Sequence, residues 1–145
     1  MIAQLTNAGA LPSLEMTMRF AAQRQRIIAH NIANFDTPEF VQKDASVEGF
    51  RATLDRAIAQ RRRRTGGMHG ELAWRETREL RHAPGRGLEV VPGTPVGGVL
   101  AHDRNNRDLE RTMQDLAETT AAFRVAADLY RAHRDVIHSA IAERV

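Results

Sequence analysis

The chain contains no cysteine. This excludes a disulfide framework, a thiol nucleophile and thiolate metal sites. Aromatic residues are scarce, with one Trp, one Tyr and five Phe in 145 residues. Lysine is nearly absent: Lys43 stands alone against 20 arginines. No apolar run approaches the roughly 18 to 20 residues that a membrane-crossing helix needs. The opening stretch, MIAQLTNAGALPSLEM, lacks a cationic segment followed by a continuous apolar core. The expectation is therefore a chain without a cleaved secretory signal of the usual kind.

Alanine is what the chain has instead. It supplies 22 of the apolar residues, against 11 leucines. Alanine favours helix but adds little buried area, and a short chain already buries a modest fraction of its surface. One domain spanning 1–145, built on long helices that need partners, is the expected outcome. The isoelectric point near 10.4 accompanies a net charge of only +3. Arginine stays charged to very high pH, so a small excess of it raises the isoelectric point steeply. Such a value is weak support for a nucleic-acid partner.

Hydropathy spacing predicts a helix over 11–34. Leu14, Met18, Ala21, Gln25, Ile28 and Ile32 alternate steps of four and three, one seam of a heptad. Met16, Phe20 and Ile27 widen that face, while Arg19, Gln23, Arg26 and His30 lie opposite. Ser13 is the expected N-cap, and Asn34 to Pro38 the stop. A shorter helix is predicted over 47–61, through Val47, Phe50, Leu54 and Ile58, running into Arg61–Arg64. Residues 62–101 hold eight of the ten glycines and three of the five prolines. Only 71–74 and 88–91 read there as short strands.

The strongest pattern covers 107–143. Leu109, Met113, Leu116, Thr120, Phe123, Ala127, Tyr130, Arg134, Ile137 and Ile141 keep the four-three alternation throughout. A second stripe, Ala122, Ala126, Leu129, Val136 and Ala140, runs beside it. Asn106 is the expected cap, with Asp108 and Glu110 placed in the first turn to suit the helix dipole. Two stripes on one helix imply contacts with more than one neighbour. Polar residues on the seams (Gln25, Thr120 and Arg134) can set register at some cost in stability. The fold class expected is mainly α: two long terminal amphipathic helices paired as a coiled-coil-like hairpin around a loop-rich or small β middle.

Catalytic constellations are lacking. The six histidines (30, 69, 82, 102, 133 and 138) include no HExxH and no pair three or four apart on one helix. Gly66-Gly67 is not followed by Lys-Ser/Thr, and Ser13, Ser46 and Ser139 sit in no nucleophile elbow. No enzyme activity, cofactor or metal is expected. Arg61–Arg64 reads as a solvated helix end, and Arg124 with Asp128 as a surface ion pair; an aromatic-interleaved nucleic-acid surface is not present.

Two motifs point to one family. Gln25-Arg26-Ile27-Ile28-Ala29-His30-Asn31-Ile32-Ala33-Asn34-Phe35-Asp36-Thr37-Pro38 resembles the N-terminal signature of bacterial flagellar rod and hook proteins. In that family an amphipathic helix leads into an A-N-x-x-T-P-G-Y turn. His102-Asp103-Arg104-Asn105-Asn106-Arg107-Asp108-Leu109-Glu110 is similar to the asparagine-pair segment that opens the C-terminal helix of proximal rod members. Three residues depart from the pattern. Glu39-Phe40 replaces Gly-Tyr, which would strain a positive-φ turn at 39, and Arg107 stands where an apolar residue is usual.

The resemblance implies a structural subunit of the flagellar basal body, exported without a cleaved signal and polymerised into the periplasmic rod. It implies other rod subunits, the rod adaptor FliE, the MS ring and the flagellar export gate as partners, with no nucleic acid. It further implies that Leu14, Met18, Ala21, Gln25, Ile28, Ile32, Leu109, Met113, Leu116, Phe123, Tyr130, Ile137 and Ile141 serve subunit interfaces. The family motif would be carried by Asn31, Ala33, Asn34, Asp36, Thr37, Pro38, Asn105, Asn106, Asp108, Leu109 and Glu110. Two other classes fit parts of the sequence. A helical adaptor needs only the heptads, and a nucleic-acid binder would rest on Arg61–Arg64.

Overall fold

The computed structural model describes residues 8–38, 40–85, 87–94 and 104–142, with backbone only at 104–108. Helix α1 is Leu11–Ala33 and helix α2 is Val47–Thr65. Strands β1, Leu80–Ala83, and β2, Gly87–Val90, form an antiparallel hairpin, and helix α3 is Arg104–Ala142. The chain is mainly helical, with its terminal helices packed together and a two-stranded sheet in the middle.

Helix α1 begins two residues before the expected cap. Pro12 sits in its first turn, where proline's fixed φ suits the helix and its missing N–H costs nothing. Ser13 is therefore inside, and its hydroxyl donates to the Ala10 carbonyl at 2.7 Å instead of capping. At the far end the Asn34 backbone N–H and side-chain amide both donate to the His30 carbonyl. Thr37 N–H then bonds the Asn34 carbonyl, turning the chain away.

Helix α2 opens on a side-chain cap, with Ser46 Oγ accepting from Gly49 N–H at 2.9 Å. It runs to Thr65, past the predicted end at Arg61, because arginine is a good helix former and nothing breaks the ladder before glycine. Gly66 ends it in the left-handed region at φ 68°, its N–H returning to the Arg62 carbonyl.

The hairpin corrects one strand expectation and supports the other. Residues 88–91 overlap β2, but 71–77 form no strand, and the partner strand is 80–83. Its sequence, Leu-Arg-His-Ala, has no apolar alternation to reveal it. Local bonds hold it instead. Leu80 N–H donates to Thr77 Oγ1 and His82 N–H to Glu76 Oε1, while the Trp74 ring lies 3.8 Å from that of His82. Leu80 pairs with Val90 and His82 with Leu88. Asp44 and Gly93 exchange two backbone bonds beside the hairpin.

The core gathers Met16, Phe20, Ala45, Phe50, Leu80, Leu88 and Val90, with Leu72 and Trp74 packed against it. Phe20 and Phe50 stack at 4.1 Å between centroids and 6° between planes. Each ring contributes roughly 1.5–3 kcal/mol by burial, and the pair about 0.5–1.5 more. Gln23, expected on the solvent side, instead bridges α1 to the hairpin. Its amide donates to the Leu88 carbonyl and accepts from Val90 N–H, both at 2.8 Å.

Helix α3 starts before the predicted 107, so Asn106 lies inside it and does not cap it. Asp108 and Glu110 fall beyond its first turn, which holds no acidic residue. Its 39 residues span about 58 Å at ~1.5 Å each, against about 34 Å for the 23 of α1. Helix α1 is thus too short to cover α3 along its whole length.

Candidate functional site

Helix α1 packs two faces. Met16 and Phe20 enter the core; Ala21 and Ile28, buried, with Leu14, Met18, Gln25 and Ile32, half-buried, lie on the seam predicted for pairing. On α3, Leu109, Leu116, Phe123, Tyr130 and Ile137 are half-buried, as are Thr120 and Ala127. The most covered positions, however, are Thr112, Thr119 and Ala126. The contact line on α3 thus runs 109, 112, 116, 119, 123, 126 and 130. It shares every second position with the predicted seam and moves the others back by one. Met113, predicted on the seam, is 53% exposed, as is Ile141 at 48%, and Arg134 is exposed. Small residues at 112, 119 and 126 allow close approach, whereas Met113 would hold the helices apart.

A buried cation sits on this line. Arg24, only 5% exposed, donates from Nη1 to Thr119 Oγ1 at 2.6 Å and from Nε to the Ala45 carbonyl at 3.3 Å. Asp44 accepts from Nε at 3.2 Å, and Asp115 lies 3.4 Å from Nη2. One guanidinium therefore joins α1, the segment before α2, and α3. Both carboxylates keep partial solvent contact, which lowers the cost of the arrangement. Beside it Gln25 Nε2 donates to Thr120 Oγ1 at 3.2 Å, joining the two polar seam residues expected to influence register.

Asn31 performs a second, separate task. Its amide donates to the Lys43 carbonyl at 2.6 Å and accepts from Lys43 N–H at 3.1 Å, imitating one rung of a sheet. This pins the Lys43 backbone against the end of α1. Asn31 is buried, Asn34 is half-buried, and Ala33, Asp36, Thr37 and Pro38 are exposed. Glu39 lies outside the described residues, as do the side chains of Asn105, Asn106, Arg107 and Asp108. Leu109 is half-buried and Glu110 exposed.

The sequence reading missed Arg24, Asp44, Asp115 and Thr119. A signal was available: Arg24 lies three residues after Ala21 and four before Ile28, inside the apolar spacing. Arg61 is likewise not solvated. It is 7% exposed and donates to the Gly9 and His69 carbonyls, tying the start of α1 to the end of α2; only Arg62, Arg63 and Arg64 are exposed. Asp128 pairs with Arg131 at 3.0 Å and not, as expected, with Arg124.

One stripe of the remaining surface of α3 is apolar. Ala122, Val125, Leu129, Ala132, Val136 and Ala140 all are exposed, with Val125 at 59% and Val136 at 70%. Their steps of three and four place them on one stripe, away from the line that faces α1. This stripe takes up four of the five residues of the predicted second stripe; the fifth, Ala126, is buried on the contact line instead. An open cleft of about 250 Å³ near the end of α2 is lined by Gln60, Arg61, Arg64, Thr65, Gly70, Glu71 and Ala73. Among the described residues no cluster of three His, Asp or Glu side chains could hold a metal ion, and no helix is long and apolar enough to cross a membrane.

Comparison with known proteins shows that the chain is similar to flagellar basal body rod proteins. The chain is 28% identical over 123 residues to the flagellar basal body rod protein FlgB of Yersinia ruckeri, covering 79% of this chain and 80% of that protein. It is 29% identical over 115 residues to the FlgB of Borrelia hermsii, covering 76% and 78%. The resemblance to FlgB thus extends over more than three-quarters of the chain. No model of a known protein family matches it, and no solved structure does.

Proposed function

We propose that the chain is a structural subunit of the proximal flagellar rod, of the FlgB kind, which polymerises through its terminal helices and so transmits torque. The observation that carries this reading is the exposed stripe Ala122–Ala140 on a helix far longer than its partner. Apolar residues repeating at heptad spacing in water favour burial, at about 25 cal/mol per Å². A neighbouring helix is the surface that fits such a stripe. Long interlocked helices resist twisting, as a drive shaft requires. The motif segment Asn105–Glu110, together with the two FlgB relatives, favours this kind over the sibling FlgC. The reading places the subunit beside FlgC-like neighbours, the adaptor FliE, the MS ring and the export gate, reached by flagellar export without a cleaved signal.

The test replaces Val125, Leu129 and Val136 with Asp in the strain that encodes the chain. Because these residues are exposed, the isolated variant should keep its helix content and melt within a few degrees of the parent. The strain should lose swimming motility and assembled rods. A motile strain with intact rods would overturn the proposal.

A further inference from the structure

Four charged residues, Arg124, Asp128, Arg131 and Asp135, border the exposed stripe of α3 on the side farther from the α1 contact line, and all are exposed. Their signs alternate, plus, minus, plus, minus, at steps of four, three and four. Read in reverse, the row becomes minus, plus, minus, plus at the same steps. It is therefore complementary to itself turned end for end. The point of reversal falls between residues 129 and 130, near the middle of the apolar run from Ala122 to Val136. Within the chain the row is barely used. Asp128 reaches Arg131 at 3.0 Å with the two side chains 70% and 66% exposed, and neither Arg124 nor Asp135 has an ion-pair partner among the described residues.

From this we propose that the partner of the stripe in the free chain is a second copy of the same helix, laid antiparallel in a closed twofold dimer. The axis passes between residues 129 and 130. Arg124 then meets Asp135 of the second copy, and Asp128 meets its Arg131, each pair being formed twice as an isologous contact requires. Leu129 packs near its own counterpart, and Val125 beside Val136 of the second copy. Burial of these apolar side chains supplies the attraction. The bordering charges fix direction and register more than they add affinity.

A parallel pair lacks this match. The row would then face the opposite border of the second copy's stripe, where His133 and the buried Ala126 stand beside the α1 contact line. A twofold contact also closes on itself, so the dimer covers the stripe without extending into a polymer. The dimer requires only α3 as it stands in one chain, and holds whether or not the chain is a rod subunit.

Sedimentation of the purified full-length chain over a range of concentrations tests this, and the parent should show a monomer–dimer equilibrium. Asp128→Arg with Asp135→Arg makes the row wholly positive; Arg124→Asp with Arg131→Asp makes it wholly negative. Each double variant alone should dimerise at least tenfold more weakly, because four opposite-charge contacts become like-charge ones. An equimolar mixture of the two, and the variant carrying all four changes, should associate as the parent does. Circular dichroism checks that helix content is kept.

The absence of cysteine lets disulfide trapping report direction. Val125→Cys and Val136→Cys are oxidised separately and together. In the antiparallel dimer the two copies of residue 136 are offset by about 20 Å along the axis, and those of 125 by about 14 Å, at ~1.5 Å per residue. A disulfide spans Cα atoms no more than about 7 Å apart. Only the mixture should therefore link in high yield. A chain that stays monomeric, a dimer insensitive to the charge changes, or single variants that link to themselves as well as the mixture does overturns the dimer. Rod assembly in the strain is a separate measurement, so failure of either proposal leaves the other standing.

Discussion

Arg24 and Thr119, 95 residues apart in sequence, share a hydrogen bond of 2.6 Å that is buried between the terminal helices. The same guanidinium reaches Asp44 and Ala45, so the helix pair and the central segment are joined through one side chain. Helix pairing and folding of the middle are consequently coupled.

Replacing Arg24 with Met keeps the bulk and removes the donors. The partner carboxylates are 41% and 36% exposed and can return to water, so the loss is limited to about 1–2 kcal/mol. Arg24→Lys should recover little of it, because one ammonium cannot reach acceptors on three segments as a planar guanidinium does. Urea unfolding followed by circular dichroism measures both. A variant as stable as the parent would show that the cluster contributes nothing net.

Asn31→Ala removes both bonds to the Lys43 backbone. With the site buried, the expected cost is about 1–3 kcal/mol, and the Lys43 amide should lose its protection against hydrogen exchange. Asn31→Asp keeps an acceptor for Lys43 N–H but sets a carboxylate against the Lys43 carbonyl, so it should not rescue. Unchanged exchange at Lys43 in the alanine variant would contradict this.

Phe50→Ala leaves a cavity beside Phe20 in the small core. The expected destabilisation is about 3–5 kcal/mol, which should lower the melting midpoint by about 6–20 °C, at roughly 2–4 °C per kcal/mol for a chain of this length. Since Trp74 packs against the same core, its fluorescence should shift to longer wavelength in step. A drop of only a degree or two would mean the stack is dispensable.

Particular residues mark where the sequence was readable. Ala21 and Ile28 on α1 and Leu109, Leu116, Phe123 and Tyr130 on α3 lie where heptad spacing put them, because period alone fixes which side of a helix is apolar. Helix bounds were less legible. Helix α1 starts at the predicted Leu11, but Ser13 lies inside it and does not cap it, and Gly66, not the arginine run, ended α2. Strand β1 left no trace, since Leu-Arg-His-Ala is held by side chains of Glu76 and Thr77 and not by its own alternation.

From the sequence alone come the element type, the two stripes of α3 and the motifs that carry the resemblance, because these depend on periodicity and local backbone preference. Tertiary structure alone decided that Thr112, Thr119 and Ala126 displace Met113, Thr120 and Ala127 as the closest contacts. It also decided that Arg24 is buried while Val125 and Val136 remain in water. The reason is steric and electrostatic at once. Two helices settle where small side chains let them approach, and a cation enters that gap only when residues from distant segments converge to receive it.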